Sequence, residues 1–71
     1  MVRLNNAEYP YRAGMSLKEL IDDYNADYHK RLGFDEFVIL VNDTALTPLQ
    51  ARERILSDND KVIVVPLIEG G

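Results

Sequence analysis

The residues of this chain most able to support chemistry close the sequence. Glu69-Gly70-Gly71 follow an apolar run, Lys61-Val62-Ile63-Val64-Val65-Pro66-Leu67-Ile68. Without a Cβ, Gly70 and Gly71 accept unusual backbone angles and let a partner's backbone come close. Such a tip can thread a narrow channel and set the Gly71 carboxylate against a nucleotide held by an activating enzyme. Terminal glycines are often only frayed ends. Here the pair follows a buried strand by a short spacer, which keeps the tip close to a rigid body and favours the functional reading.

The other candidates carry less. Asp22 and Asp23 are adjacent on a helix, where neighbours point apart and cannot work as an acid–base pair, so both are expected in solvent. Asp58 and Asp60 lie in a loop with too few ligands for a dedicated cation site, and a turn explains them better. His29, beside Lys30 and Arg31, reads as electrostatic capping of a helix end. Tyr24 and Tyr28 read as core or semi-core side chains rather than a docking patch. There is no cysteine, hence no disulfide, thiolate metal site or nucleophilic thiol. No Ser/His/Asp set or glycine-rich phosphate loop is present either, and the chain is not expected to be an enzyme.

At 71 residues the chain makes one domain, near the lower size limit for folding without staples. A hydrophobic content of 46% with regular patterning is enough for a compact core. The net charge of -4 argues against a nucleic-acid partner. No apolar run approaches the ~20 residues a membrane helix needs, and Met1-Val2-Arg3-Leu4-Asn5 has no signal-peptide core. A soluble cytoplasmic protein with no membrane partner is expected.

The elements that must hold the tip follow from local chemistry. Val2 and Leu4 alternate with Arg3, Asn5-Asn6 suits a two-residue hairpin loop, and Ala7, Tyr9 and Tyr11 give a second strand. Pro10 marks that strand as an edge. Ser16 with Glu19 reads as a capping box. Leu17, Leu20, Ile21, Tyr24 and Tyr28 then share one helical face. The helix is expected from about residue 17 to about 31, with Gly33 as its stop. Phe37-Val38-Ile39-Leu40-Val41 reads as a strand buried on both faces, Asn42-Asp43 as a turn, and Ala45-Leu46 as a brief edge strand. Thr47-Pro48 with Gln50 starts a short helix over Leu49 to Leu56. Ser57-Asp58-Asn59-Asp60 turns into the final strand, a continuous apolar run expected mid-sheet and buried on both faces. Pro66 marks the end of that strand.

Pairing the first and last strands in parallel, with a right-handed arrangement, centres both. The long helix then crosses one face of a mixed sheet of four or five strands, with one short helix besides. The fold class is α+β, a β-grasp (ubiquitin-like) roll over residues 1–67 with a flexible tail over 68–71.

With this order, length and ending, the chain resembles the ThiS/MoaD-type sulfur carriers, and is closer to ThiS of thiamin synthesis. The resemblance spans nearly the whole chain. It rests on Val2-Arg3-Leu4-Asn5, Gly14-Met15-Ser16-Leu17-Lys18-Glu19-Leu20, Val41-Asn42-Asp43, Thr47-Pro48, Asp58-Asn59-Asp60, the apolar last strand and Gly70-Gly71. Asn59 stands where the family usually has glycine, and the segment Tyr24 to Glu36 is longer and more polar than usual.

The resemblance implies chemistry at Gly71. A ThiF/MoeB-like adenylating enzyme, using ATP and magnesium, joins the carboxylate to AMP, and a sulfur donor converts the acyl adenylate to a thiocarboxylate. A thiazole synthase or a molybdopterin synthase subunit then accepts the sulfur. Leu67, Ile68, Glu69 and Gly70 are the implied partner-binding residues, with no cofactor or metal bound by the carrier. Two rivals remain: a ubiquitin-like modifier conjugated through Gly71, and a non-covalent binding module with an incidental tail.

Overall fold

The computed structural model describes residues 1–67. Five strands form one mixed sheet: β1 (Val2–Leu4), β2 (Ala7–Tyr9), β3 (Phe37–Val41), β4 (Thr44–Leu46) and β5 (Lys61–Pro66). Their order is β2-β1-β5-β3-β4, so the last strand is the centre. It runs parallel to β1 and antiparallel to β3. This is the expected β-grasp plan, with β2 and β4 at the edges.

Turn chemistry sets the hairpins. Asn5 takes φ 53° between β1 and β2, and Asn42 and Asp43 take φ 50° and 70° between β3 and β4. Asn and Asp tolerate this region better than other non-glycine residues, and two positive φ angles match the right-handed twist of a hairpin. Asn59 supplies φ 69° in the turn before β5, so it adopts the backbone angle that glycine would offer.

Helix α1 (Leu17–Tyr28) lies across one face of the sheet, and α2 (Pro48–Glu53) follows β4. In α2 the capping box is complete: Gln50 N–H donates to Thr47 Oγ1 at 3.2 Å and Thr47 N–H to Gln50 Oε1 at 2.9 Å. In α1 only one arm forms. Glu19 N–H donates to Ser16 Oγ at 3.1 Å, while the Glu19 carboxylate accepts from Arg12 at 3.3 Å instead of reaching back. A short antiparallel bridge, Ser16 opposite Ile55, ties the start of α1 to the chain leaving α2.

The core lies between α1 and the sheet. Leu17, Leu20 and Ile21 meet Val2, Leu4, Ile39, Val41, Val62 and Val64, with Met15, Ala51 and Leu56 closing the end. Leu4, Leu17, Leu20 and Val62 are fully buried. Cutting any of the buried leucines to alanine removes roughly 2–5 kcal/mol, a large part of a small domain's stability.

Helix α2 ends at Glu53 rather than at Leu56, because Arg54 is extended and Ile55 pairs with Ser16. Three further sequence expectations are corrected. Helix α1 ends at Tyr28, not near residue 31, and His29 is its cap in the left-handed region at φ 54°. The physical reason is Asn25. Its backbone carbonyl accepts from Lys30 N–H at 3.1 Å, and its side chain holds Leu32 by both backbone groups at 2.9 Å. That clamp closes the helix before Gly33. Second, Tyr28 is 51% exposed and its ring lies tilted against that of Tyr24, centroids 4.8 Å apart, and of the two only Tyr24 packs on the core. Third, β3 and β5 are not buried on both faces. Ile39, Val41, Val62 and Val64 face the core, while Val38, Leu40 and Ile63 are half-buried and Val65 is exposed.

Candidate functional site: the exit of the central strand

Strand β5 carries the chain toward its end, so what holds β5 aims the tail. On one side it pairs with β3 through five registered positions, from Val41 opposite Val62 to Phe37 opposite Pro66. Its odd-numbered residues bond on this side: Asn42 N–H donates to the Lys61 carbonyl at 2.9 Å, and Leu67 N–H donates to the Glu36 carbonyl at 2.9 Å. Even-numbered residues therefore turn their backbone groups toward β1. Asn5 N–H donates to the Val62 carbonyl at 2.9 Å on that side.

Beyond Leu4 the first strand turns away into its hairpin, and β5 would run out of partners there. The Asn5 side chain replaces the missing strand. Its Oδ1 accepts from Val64 N–H at 3.0 Å and its Nδ2 donates to the Val64 carbonyl at 3.2 Å. The next group due on this side is the nitrogen of residue 66, where proline has no N–H to satisfy. Pro66 thus leaves no donor unpaired, which explains how it sits at the end of a central strand.

At the other end of β5, Asn42 Oδ1 accepts from Lys61 N–H at 3.0 Å, and Asn42 Nδ2 donates to Asp60 at 2.8 Å. Asp60 is buried and also accepts from Ser57 N–H at 2.7 Å, so its carboxylate shapes the turn. Asp22, which accepts from Lys18 at 2.8 Å, and Asp23 lie in solvent. Asp58 takes a proton-bearing partner from the Met1 ammonium at 2.7 Å, and that bond holds its carboxyl below the usual range. Among the described residues no cluster of His, Asp and Glu suits a metal ion.

The rim of the exit is apolar. Leu67 is 55% exposed and Val65 42% exposed. Val65 stands opposite Val38, and Ile63 opposite Leu40, on the sheet face turned away from α1. A shallow groove between Glu36, Phe37, Pro66 and Leu67 opens where the chain leaves. Glu36 itself takes φ 65°, so the carbonyl that receives Leu67 belongs to a left-handed residue. Of the expected partner-binding residues, Leu67 is placed on this rim. Ile68, Glu69, Gly70 and Gly71 lie outside the described residues. Val65 and Asn5 were missed by sequence reasoning; the uninterrupted apolar run held the signal for Val65, and nothing local held one for Asn5.

No described helix is long and apolar enough to cross a membrane. A comparison with curated proteins returned no match. The model of the ThiS family matches residues 2–71, a span that includes the closing glycines.

Proposed function

This chain belongs to the ThiS family of small sulfur carriers, and from that premise we propose that it carries sulfur as a thiocarboxylate on Gly71. An adenylating enzyme, using ATP and magnesium, joins the Gly71 carboxylate to AMP and releases pyrophosphate. Sulfur at the sulfide level then attacks the acyl carbon, a C–S bond forms, the C–O bond to AMP breaks, and AMP leaves with the electron pair. The thiocarboxylate donates its sulfur to an acceptor enzyme, in our reading the synthase of the thiamin thiazole, in the cytoplasm where ATP is available. The chain contributes no catalytic side chain to these steps; it positions a carboxylate.

The observation that carries the reading is the place of Leu67. Its N–H makes the last ladder bond of the central strand, on Glu36, beside an exposed apolar rim. Four residues follow, a covalent reach of at most about 14 Å. A partner seated on Val65 and Leu67 would have Gly71 within one active-site depth, and the apolar sheet face supplies area for that seat. Leu67, Ile68, Glu69 and Gly70 are the proposed partner-contacting segment.

The test is ATP–pyrophosphate exchange by the adenylating enzyme, with wild type and with a variant carrying one extra C-terminal alanine. The addition displaces the carboxylate by about 3.3–3.6 Å. A misplacement of about 1 Å can already cost about a hundredfold in rate, so exchange is expected to vanish. Exchange at the wild-type rate would show that Gly71 is not the activated group. Intact mass of protein from native cells separates the modifier reading, which requires larger conjugates, from oxygen-for-sulfur exchange at the terminus.

A further inference from the structure

The core-facing row of the central strand runs on past its cover. Val62 and Val64, on that face of β5, are 0% and 2% exposed. Pro66 is the next residue of the same alternation, and it is exposed. Opposite it stands Phe37, which continues the row of Ile39 and Val41 on β3 and is only half-buried. Leu32 and Phe34, in the loop before β3, pack on the core yet leave Pro66 open. The groove between Glu36, Phe37, Pro66 and Leu67 lies at this uncovered end.

The sequence supplies a side chain to fill it. Ile68 follows Pro66 at the two-residue period of the strand, and it is aliphatic. It is also the diagonal cross-strand neighbour of Phe37, because Phe37 pairs with Pro66. Diagonal neighbours stand about 7–8 Å apart, within reach of an aromatic ring. Glu69, Gly70 and Gly71 bring no apolar side chain, so Ile68 is the one residue beyond Leu67 suited to this groove. A group tethered so closely has an effective concentration on the order of millimolar, above that of a free partner. Glu36 turns at φ 65° just after its carbonyl has received Leu67 N–H, so β3 offers little ladder further on. The side chain must then do the holding.

We propose that in the free carrier the Ile68 side chain seats in this groove, against Phe37 and Pro66, and completes the open end of the core face. The seat belongs to the free carrier; its consequence for function rests on the activation reading above. A seated Ile68 moves the fixed end of the arm outward by one residue. Three residues remain beyond it, with a reach of about 10–11 Å. The partner then meets a shorter arm with a set starting point, which lowers the ordering cost of binding.

The experiment is nuclear magnetic resonance on the isotope-labelled full chain, alone in solution, with thermal melting of wild type and Ile68→Ala. Nuclear Overhauser effects are expected between the Ile68 methyls and the Phe37 ring, with those methyls moved from their unfolded-chain shifts. Ile68→Ala is expected to melt about 2–5 °C lower, through loss of partly covered apolar area. Ile68 methyls at unfolded-chain shifts, with no effect to Phe37, overturn the proposal. So does an Ile68→Ala variant that melts within about 1 °C of wild type. In a mixture of labelled and unlabelled chains, an effect between chains would give the groove to a second copy, and one that appears only on adding the adenylating enzyme would give it to the complex; either overturns the seat. Pyrophosphate exchange by wild type keeps the two readings apart. A seated Ile68 without exchange sinks the activation reading alone, and exchange with an unseated Ile68 sinks the seat alone.

Discussion

The side-chain amide of Asn5 brackets the backbone of Val64, accepting from its N–H at 3.0 Å and donating to its carbonyl at 3.2 Å. One side chain thus continues the parallel ladder after β1 has turned away, in the strand that leads to the tail. An unpaired, part-buried backbone group costs about 1–3 kcal/mol. Asn5→Gly, which keeps the positive φ, is expected to lose about 1–3 kcal/mol in urea unfolding. Asn5→Asp cannot donate to the Val64 carbonyl and should be at least as damaging. A glycine variant as stable as wild type would mean that water replaces the clamp.

His29 closes α1 at φ 54°, ψ 43°. A left-handed conformation costs an L-residue roughly 1–2 kcal/mol, and glycine escapes most of that. His29→Gly is expected to raise stability by about 0.5–1 kcal/mol, a shift of roughly 2–8 °C in melting temperature for a domain of this size. The measurement is thermal unfolding by circular dichroism. A lower melting temperature would show that the imidazole contributes more than its backbone costs.

Tyr9 donates its hydroxyl to Asp27 Oδ2 at 3.0 Å, from the edge strand to the long helix. Burial, then the bond and charge of Asp27, push its pKa up from 10.0 to about 12. The folded state therefore favours the protonated phenol. Its contribution is complete below pH ~10, where the unfolded tyrosine is also protonated, and is lost as pH rises toward ~12. Tyr9→Phe should cost about 0.5–1 kcal/mol at neutral pH. That deficit should shrink across the same alkaline window in paired melts of wild type and variant. A deficit constant to pH 12 would mean that the bond to Asp27 is not its source.

These residues also show what the sequence could reveal. Turns at Asn5, Asn42 and Asp43, and the reciprocal cap of Thr47 and Gln50, are local devices whose chemistry lies within a few residues, and they were legible. Strand order was legible because the final apolar run could only be central. Its burial was misread, since an apolar run looks the same whether the second face meets a layer of protein or carries Val65 into solvent. The end of α1 was misread because Gly33 is a general stop signal, whereas the actual stop depends on Asn25 reaching Leu32. Asn5 on Val64 joins residues at opposite ends of the chain, and no local pattern announces it. The place of Leu67 just past the end of β5 was legible from Pro66; the carbonyl of Glu36 that receives its N–H was not.

Leu67 joins the fold to the proposed function most directly, because its backbone and its side chain are separable. Its backbone N–H bonds to Glu36, and its side chain stands 55% exposed on the rim. A substitution that keeps the N–H therefore tests the side chain alone. Leu67→Asp leaves the ladder bond in place and loses only the covered part of a side chain that is 55% exposed, so stability should fall by no more than about 1 kcal/mol. At an interface the same change places a carboxylate where apolar area would be buried, and an unpaired buried charge is strongly unfavourable. Affinity for the adenylating enzyme is expected to fall at least about tenfold, seen as a higher KM for the carrier in pyrophosphate exchange. Maximal exchange at saturating carrier should change little, since Gly71 is untouched. Leu67→Ala should lie between wild type and the aspartate variant, since it removes area without adding charge. A Leu67→Asp variant with wild-type KM and wild-type melting would place the partner's seat elsewhere than on this rim.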